Sequence, residues 1–262
     1  MKLLLVLIDG CRTDSLGIAH TPNIDALMER GCWTMDARTV TPSLTLPVLL
    51  SIFTSADPAR HGLADNAHTP DPARQNATLV ERLREEGRTS AFFYNWEHIK
   101  HLTPAGNLDL SLFMDNNLAI GGDEELARAV APMIVRSRPD FAYLYLGCVD
   151  EEGHRSGYGS APYLAALEGA DRALGHVLGA LDAAGRLGEY AIIVQADHGG
   201  EGYGHHDPVP AVMSVPWIAC GKGVRQGGRI GAAVSVLDTA PTAAALLGVE
   251  PDPRWEGRAV EI

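Results

Sequence analysis

The sequence predicts an α/β fold, a three-layer α/β/α sandwich around a mostly parallel central sheet, and three observations carry that expectation. Short apolar runs rich in β-branched and aromatic residues recur along the chain. Capped or amphipathic helical segments fall between them. With 262 residues, 46% of them hydrophobic, the chain has ample material for one large core.

The first run, KLLLVLI (2–8), resembles a signal-peptide core, but it stops at Asp9 with no small-residue cleavage pattern behind it. It is read as a buried strand. TSAFFY (89–94), FAYLYLG (141–147), YAIIVQA (190–196) and SVPWIAC (214–220) are nearly continuous in hydrophobicity, which suits strands covered on both faces. NIDALMERG (23–31) follows Thr21-Pro22, a cap and first-turn pair, and stops at Gly31. From Ala161 to Ala184 one helical face carries Leu164, Leu167, Ala170, Leu174, Val177, Leu178 and Leu181, and another places Glu168 four residues before Arg172. Asp238 is expected to cap TAPTAAALL, which Gly248 ends. A single domain over 1–262 is expected, with a small cap or irregular insertion at 67–122, least regular around His68–Asn76.

A net charge of −12 excludes long polyanions such as duplex DNA as natural partners but leaves a small anionic substrate open. Cys11, Cys32, Cys148 and Cys220 form no C-x-x-C pair, so free thiols in a cytoplasmic, reducing compartment are expected. No apolar run reaches the roughly 18 residues of a transmembrane helix, and no membrane association is expected.

Three aspartates share a position relative to the strands. Asp9 follows the first, Asp150 follows FAYLYLGCV, and Asp197 follows AIIVQA. In an open parallel sheet the carboxyl ends of the strands gather at one edge, where ligands bind. An isolated aspartate there reads as a helix cap, but three, with His154 beside one and His198, His205 and His206 after another, point to metal. Carboxylates with imidazoles suit zinc or manganese better than a thiolate site or an all-oxygen calcium cage. His20, His68, His98, His101 and His176 carry no such pattern, and His61 reads as a turn residue. In TPSLTLPVLLSIFTS (41–55), Thr45 is placed at a helix N-terminus with Pro47 in its first turn, where backbone N–H groups attract an anion. A hydroxyl is a poor nucleophile at neutral pH unless a metal stabilises its alkoxide, so threonine and metal support each other.

DGCRTDSL (9–16), TPNIDALMERG (21–31), PSLTLP with its helix, PARHGLADN (58–66), DEEGH (150–154), ADHGG (196–200) and DTAPTAAALLG (238–248) with WEGR occur in one order across nearly the whole chain. That ordered set resembles the alkaline phosphatase superfamily, and most closely its type I phosphodiesterase and nucleotide pyrophosphatase branch. The resemblance implies an alkaline phosphatase-like fold and two divalent ions, Zn²⁺ or else Mn²⁺. It assigns one metal to Asp9, Thr45, Asp197 and His198, and the other to Asp150, His154 and His205. His205 is preferred to His206 because it lies eight residues after Asp197, as in the related pattern, although its neighbour could substitute. Asn66, 21 residues after Thr45, matches an asparagine that binds a phosphoryl oxygen in such enzymes. The activity implied is hydrolysis of a phosphodiester or pyrophosphate in a small substrate, with Thr45 as nucleophile and a phosphothreonine intermediate. The sulfatases of this superfamily need a modifiable Cys or Ser in C/S-x-P-x-R, which Thr45-Leu46-Pro47 does not supply. Phosphomonoesters and phosphonates remain alternative substrates for the same site, and a non-catalytic metal-stabilised anion-binding protein is the reading from outside enzymology. Val48 stands where branch members often carry asparagine, and the third histidine follows ADHGG closely, as in compact bacterial members.

Overall fold

The run 2–8 becomes β1 (Lys2–Ile8), buried from Leu3 onward and paired on both sides. In the computed structural model, which describes residues 1–68, 76–104 and 106–262, it is an inner strand of an eight-stranded sheet. The remaining strands are β2 (Cys32–Arg38), β3 (Ser90–Tyr94), β4 (Leu110–Phe113), β5 (Phe141–Leu146), β6 (Tyr190–Gln195), β7 (Ser214–Gly221) and β8 (Gly228–Arg229). Their order is β4-β3-β5-β1-β6-β7-β2-β8.

Parallel pairing joins β4, β3, β5, β1 and β6, a geometry that requires crossover connections between the strands. The run 214–220 departs from the parallel expectation: β7 lies antiparallel to both β6 and β2. β2 was missed because CWTMDAR mixes exposed Asp36 and Arg38 with buried Cys32, Thr34 and Ala37, an alternation that carries no apolar run. β4, LSLF, is a half-exposed edge and was missed for the same reason.

Two groups of helices sandwich the sheet. Pro22–Arg30 and Gly122–Ser137 pack against the long Ala161–Ala183 helix, whereas Thr45–Thr54, Leu79–Glu85 and Thr239–Leu247 pack among themselves. Every residue of Thr45–Thr54 is buried. Residues 69–75, most of the segment expected to be irregular, lie outside the described residues; elsewhere in 67–122 the chain supplies the Leu79–Glu85 helix, β3 and β4.

Three local expectations are corrected by tertiary contacts. Thr21 does not cap its helix: the buried carboxylate of Asp171 accepts the Asn23 and Ile24 N–H groups at 3.3 and 2.8 Å, so one helix is capped by another. Arg172 pairs with Glu124 at 3.0 Å and not with Glu168, whose Oε1 accepts the His20 N–H. Asp238 precedes Thr239–Leu247, yet its carboxylate accepts from the N–H groups of Ser235 and Arg258 and ties the C-terminal tail down.

Candidate active site

β5, β1 and β6 are neighbours in the sheet, so their carboxyl ends deliver Asp9, Asp150 and Asp197 to one edge. Asp9 directly follows β1, Asp197 stands two residues after β6, and Asp150 opens the Cys148–Ser156 helix, where His154 lies one turn further along the same face. The sequence-predicted residues then separate into two groups whose ligand atoms lie within 4.8 Å of one another: Asp9, Asp197 and His198, and Asp150, His154 and His205.

In the first group His198 Nε2 stands 3.4 Å from Asp9 Oδ1 and 3.3 Å from Asp197 Oδ2, and Thr45 Oγ1 is 3.3 Å from the same nitrogen. In the second, His154 Nε2 is 3.2 Å from Asp150 Oδ2, and the His154 and His205 rings are 5.1 Å apart. His206 stacks on the outer side of His205, is exposed, and belongs to neither group. Asn66 accepts the Leu46 N–H at 2.9 Å through Oδ1, which leaves its amide NH₂ free to donate beside Thr45.

All three histidines are oriented in the same way. The Nδ1 atoms of His154, His198 and His205 meet the carbonyls of Tyr203, Gly199 and Ser43 at 2.9, 2.9 and 2.6 Å. A carbonyl only accepts, so each Nδ1 carries a proton; Nε2 of His198 and His205 is left with a lone pair, whereas His154 Nε2 donates to Asp150 Oδ2 and offers a lone pair only once deprotonated. Ser43 also donates its hydroxyl back to the His205 carbonyl at 2.5 Å, latching the loop before Thr45 to the loop bearing His205.

The glycines of GGEGYG serve this packing more than they serve turning. Only Gly202 has a positive φ. A Cβ on Gly200 would fall 2.3 Å from the Tyr158 ring, and one on Gly199 would fall 2.0 Å from the Ala211 carbonyl oxygen. Gly199 and Gly200 are thus required for space, and Gly202 for its backbone conformation.

The electrostatics of the site favour cations. Asp9 Oδ1 and Asp197 Oδ2 are buried with no hydrogen-bond partner. Burial, then the charges of Asp197 and Asp150, raise the Asp9 carboxyl well above its ordinary range. Asp197 is pushed up to about 7 by burial and by Asp150. Burial works against the Asp150 carboxylate too, but the hydrogen bond from His154 and the nearby His198 and His205 hold it low. The same bond raises His154 to about 9, whereas burial lowers His198, and lowers His205 to about 4. The neutral imidazoles of His198 and His205, with Asp9 Oδ1 and Asp197 Oδ2 lacking donors, fit divalent ions of the zinc or manganese kind, for which His154 would give up its Nε2 proton.

The sequence patterns above single out neither Tyr145 nor Tyr158. The Tyr145 hydroxyl donates to Asp9 Oδ2 and that of Tyr158 to Asp150 Oδ1. Arg12 is tied to Asp14 and to the Gly200 carbonyl. Arg155 is tied to Glu152 and to the Leu118 carbonyl, and Asn95 is fully buried between Asp123 and Gly147. A cavity of about 410 Å³ lies against the Cys148–Ser156 helix, lined by Glu151, Glu152 and Arg155 among others, and includes no residue of either group.

The fold is that of an alkaline phosphatase-like α/β protein, and its two carboxylate–imidazole groups are ones that could hold metal ions. A family model described as type I phosphodiesterase / nucleotide pyrophosphatase matches residues 3–211, and the chain belongs to that family, whose members are metal-dependent hydrolases of phosphoester bonds. Ectonucleotide pyrophosphatase/phosphodiesterase family member 1 of Mus musculus is 28% identical over 220 residues, covering 76% of this chain and 24% of that protein. Bis(5'-adenosyl)-triphosphatase ENPP4 of Pongo abelii is 26% identical over 217 residues, covering 76% of this chain and 47% of that one. The chain thus spans about a quarter to a half of the length of these relatives. Murine ectonucleotide pyrophosphatase/phosphodiesterase 5, solved with AMP, superposes with a TM-score of 0.78 at 15% identity over 97% of this chain and 96% of that one. Phosphonate monoester hydrolase from Silicibacter pomeroyi gives 0.79 at 17% identity, over 99% and 75%. At such identities the superpositions establish the fold.

Proposed function

We propose that this chain is a single-domain hydrolase of small phosphodiesters or phosphoanhydrides, of nucleotide pyrophosphatase type, with Thr45 as nucleophile. The observation that carries the reading is the position of Thr45 Oγ1, 3.3 Å from His198 Nε2 at the start of a buried helix, with the Asn66 amide beside it. The relatives, an ectonucleotide pyrophosphatase/phosphodiesterase and a bis(5'-adenosyl)-triphosphatase, support the substrate class.

Asp9, Asp197, His198 and Thr45 would hold one divalent ion and Asp150, His154 and His205 the other, zinc being favoured by the mixed carboxylate and imidazole donors. Ions there would supply Lewis-acid stabilisation of charge on the attacking and departing oxygens. Thr45 Oγ1, its proton given up to solvent water, attacks phosphorus in line, the bond to the leaving oxygen breaks, that oxygen departs as an anion or takes a proton from water, and a phosphothreonine forms. Water then hydrolyses it. Two inversions retain configuration at phosphorus. Throughout, the Asn66 NH₂ and the N–H at the helix start donate to the phosphoryl oxygens.

The partner is a small phosphorylated molecule, and the net charge of −12 disfavours long nucleic acid. Four unpaired cysteines support a cytoplasmic location, and no helix among the described residues is long and apolar enough to cross a membrane. The test of substrate class is nitrophenol release by the zinc-loaded protein from bis(p-nitrophenyl) phosphate against p-nitrophenyl phosphate. Faster diester cleavage supports the reading. Faster monoester cleavage moves the protein to the phosphatases.

A further inference from the structure

The three buried aspartates share a division of labour between their oxygens. In each, one oxygen faces the cluster and the other is already occupied. Asp197 Oδ2 faces His198, while Asp197 Oδ1 accepts the N–H groups of Gly10 and His198 at 3.2 and 2.9 Å. Asp9 Oδ1 faces His198, while Oδ2 accepts the Tyr145 hydroxyl. Asp150 Oδ2 faces His154, while Oδ1 accepts the Tyr158 hydroxyl. Each cluster therefore has one aspartate held by a buried phenol.

Neither phenol is free to swing away. Tyr145 lies on β5, next to the strand that delivers Asp9, and Trp96 stacks over its ring at 6.2 Å. The Tyr158 ring fills the space over Gly153 and Gly200, where a Cβ would fall 2.6 and 2.3 Å away, and its N–H bonds to the Gly202 carbonyl at 2.8 Å. It also packs against Tyr163, whose hydroxyl donates to the Gly10 carbonyl at 2.7 Å, immediately beyond Asp9. The rings thus connect the Cys148–Ser156 helix, the glycine loop and the end of β1.

We propose that Tyr145 and Tyr158 are positioning residues, one for each cluster, which occupy one carboxylate oxygen and so present Asp9 Oδ1 and Asp150 Oδ2 as single-oxygen metal ligands. This rests on the functional reading above, since it needs both clusters to bind ions. Donors behind a ligand fix its direction, and their removal typically weakens metal binding by about 10–100-fold. Without the phenol, the carboxylate can rotate or chelate through both oxygens.

The experiment is a titration of the metal-free protein with Co²⁺, followed by visible absorption and calorimetry. Tyr145→Phe is measured in a His154→Ala/His205→Ala background, which retains only the first cluster, and Tyr158→Phe in a His198→Ala background, which retains only the second. Each Tyr→Phe change is expected to weaken Co²⁺ binding about 10–100-fold and to alter the ligand-field spectrum of its own cluster. Unchanged affinity and spectrum with a lowered melting temperature would mean that the rings are structural only, and the proposal fails while the functional reading stands. Failure of the unmutated chain to bind two ions overturns both. Should a variant not fold, tyrosine labelled with ¹³C at Cζ serves the unmutated chain: two Cζ resonances are expected to shift as Co²⁺, or diamagnetic Zn²⁺, saturates the clusters, and Zn²⁺ saturation with neither resonance moving overturns the assignment.

Discussion

The imidazoles of His198 and His205 lie nearly parallel, 11° between planes and 3.8 Å between centroids, although the two residues belong to different clusters. Burial depresses the protonation of both, so two neutral rings stack where two cations would repel. This contact sets the clusters side by side, in keeping with two-metal sites whose ions are about 4 Å apart. The expected stoichiometry is two divalent ions per chain, falling to one in His205→Ala, as read by metal analysis after gel filtration.

The carboxylates make metal-free stability depend on pH in a definite direction. Asp197, raised to about 7 from 3.8, and Asp9, raised in the same sense, bind protons more tightly when folded, so the stability they contribute is lost as pH climbs. His154, raised to about 9 by Asp150, loses its contribution between 6.5 and 9. Lowered His198 and His205 are neutral in both folded and unfolded chains above about 6.5 and add little there. From pH 6.5 to 9 the melting temperature of chelator-treated protein should fall by a few degrees. Zinc-loaded protein should not follow it, because ions bind the deprotonated ligands. Parallel curves with and without zinc would contradict this.

Glycine substitutions separate the need for space from the need for a turn. Gly200→Ala drives a methyl into Tyr158 and should cost about 1–3 kcal/mol and lower metal affinity, because that ring bears on Asp150. Gly204→Ala, whose Cβ would meet only His206 at 3.6 Å, should stay within about 0.5 kcal/mol. Urea unfolding with metal titration measures both.

Most of the sheet was legible because β1, β3, β5, β6 and β7 are buried on both faces and announce themselves as apolar runs. The direction of β7 was not, since nothing in SVPWIAC encodes which neighbour it will meet. Asp9, Asp150, Asp197 and His154 were legible because they sit at strand ends or one helical turn apart, whereas the division into two groups and the choice of His205 came from the resemblance. Tyr145 was hidden inside a strand that reads as core, and the Asp171 cap was hidden on the helix to which it does not belong. Long-range donors of this kind leave no local spacing.

Asn66 tests the charge-stabilising half of the chemistry. Its Oδ1 is taken by the Leu46 N–H, so only the NH₂ is left to donate to a phosphoryl oxygen in the proposed reaction. Asn66→Ala should lower kcat by roughly 10²-fold with metal content unchanged. Asn66→Asp, which keeps the Leu46 bond but replaces a donor with a negative charge, should be worse. Steady-state kinetics with bis(p-nitrophenyl) phosphate ranks the three proteins.

The most direct measurement is kcat/KM for bis(p-nitrophenyl) phosphate by zinc-loaded wild-type protein and Thr45→Ala, with metal content verified in both. A nucleophilic Thr45 predicts a loss on the order of 10³-fold or more. Comparable rates in the two proteins would mean that Thr45 does not attack phosphorus, and the mechanism set out here would be wrong.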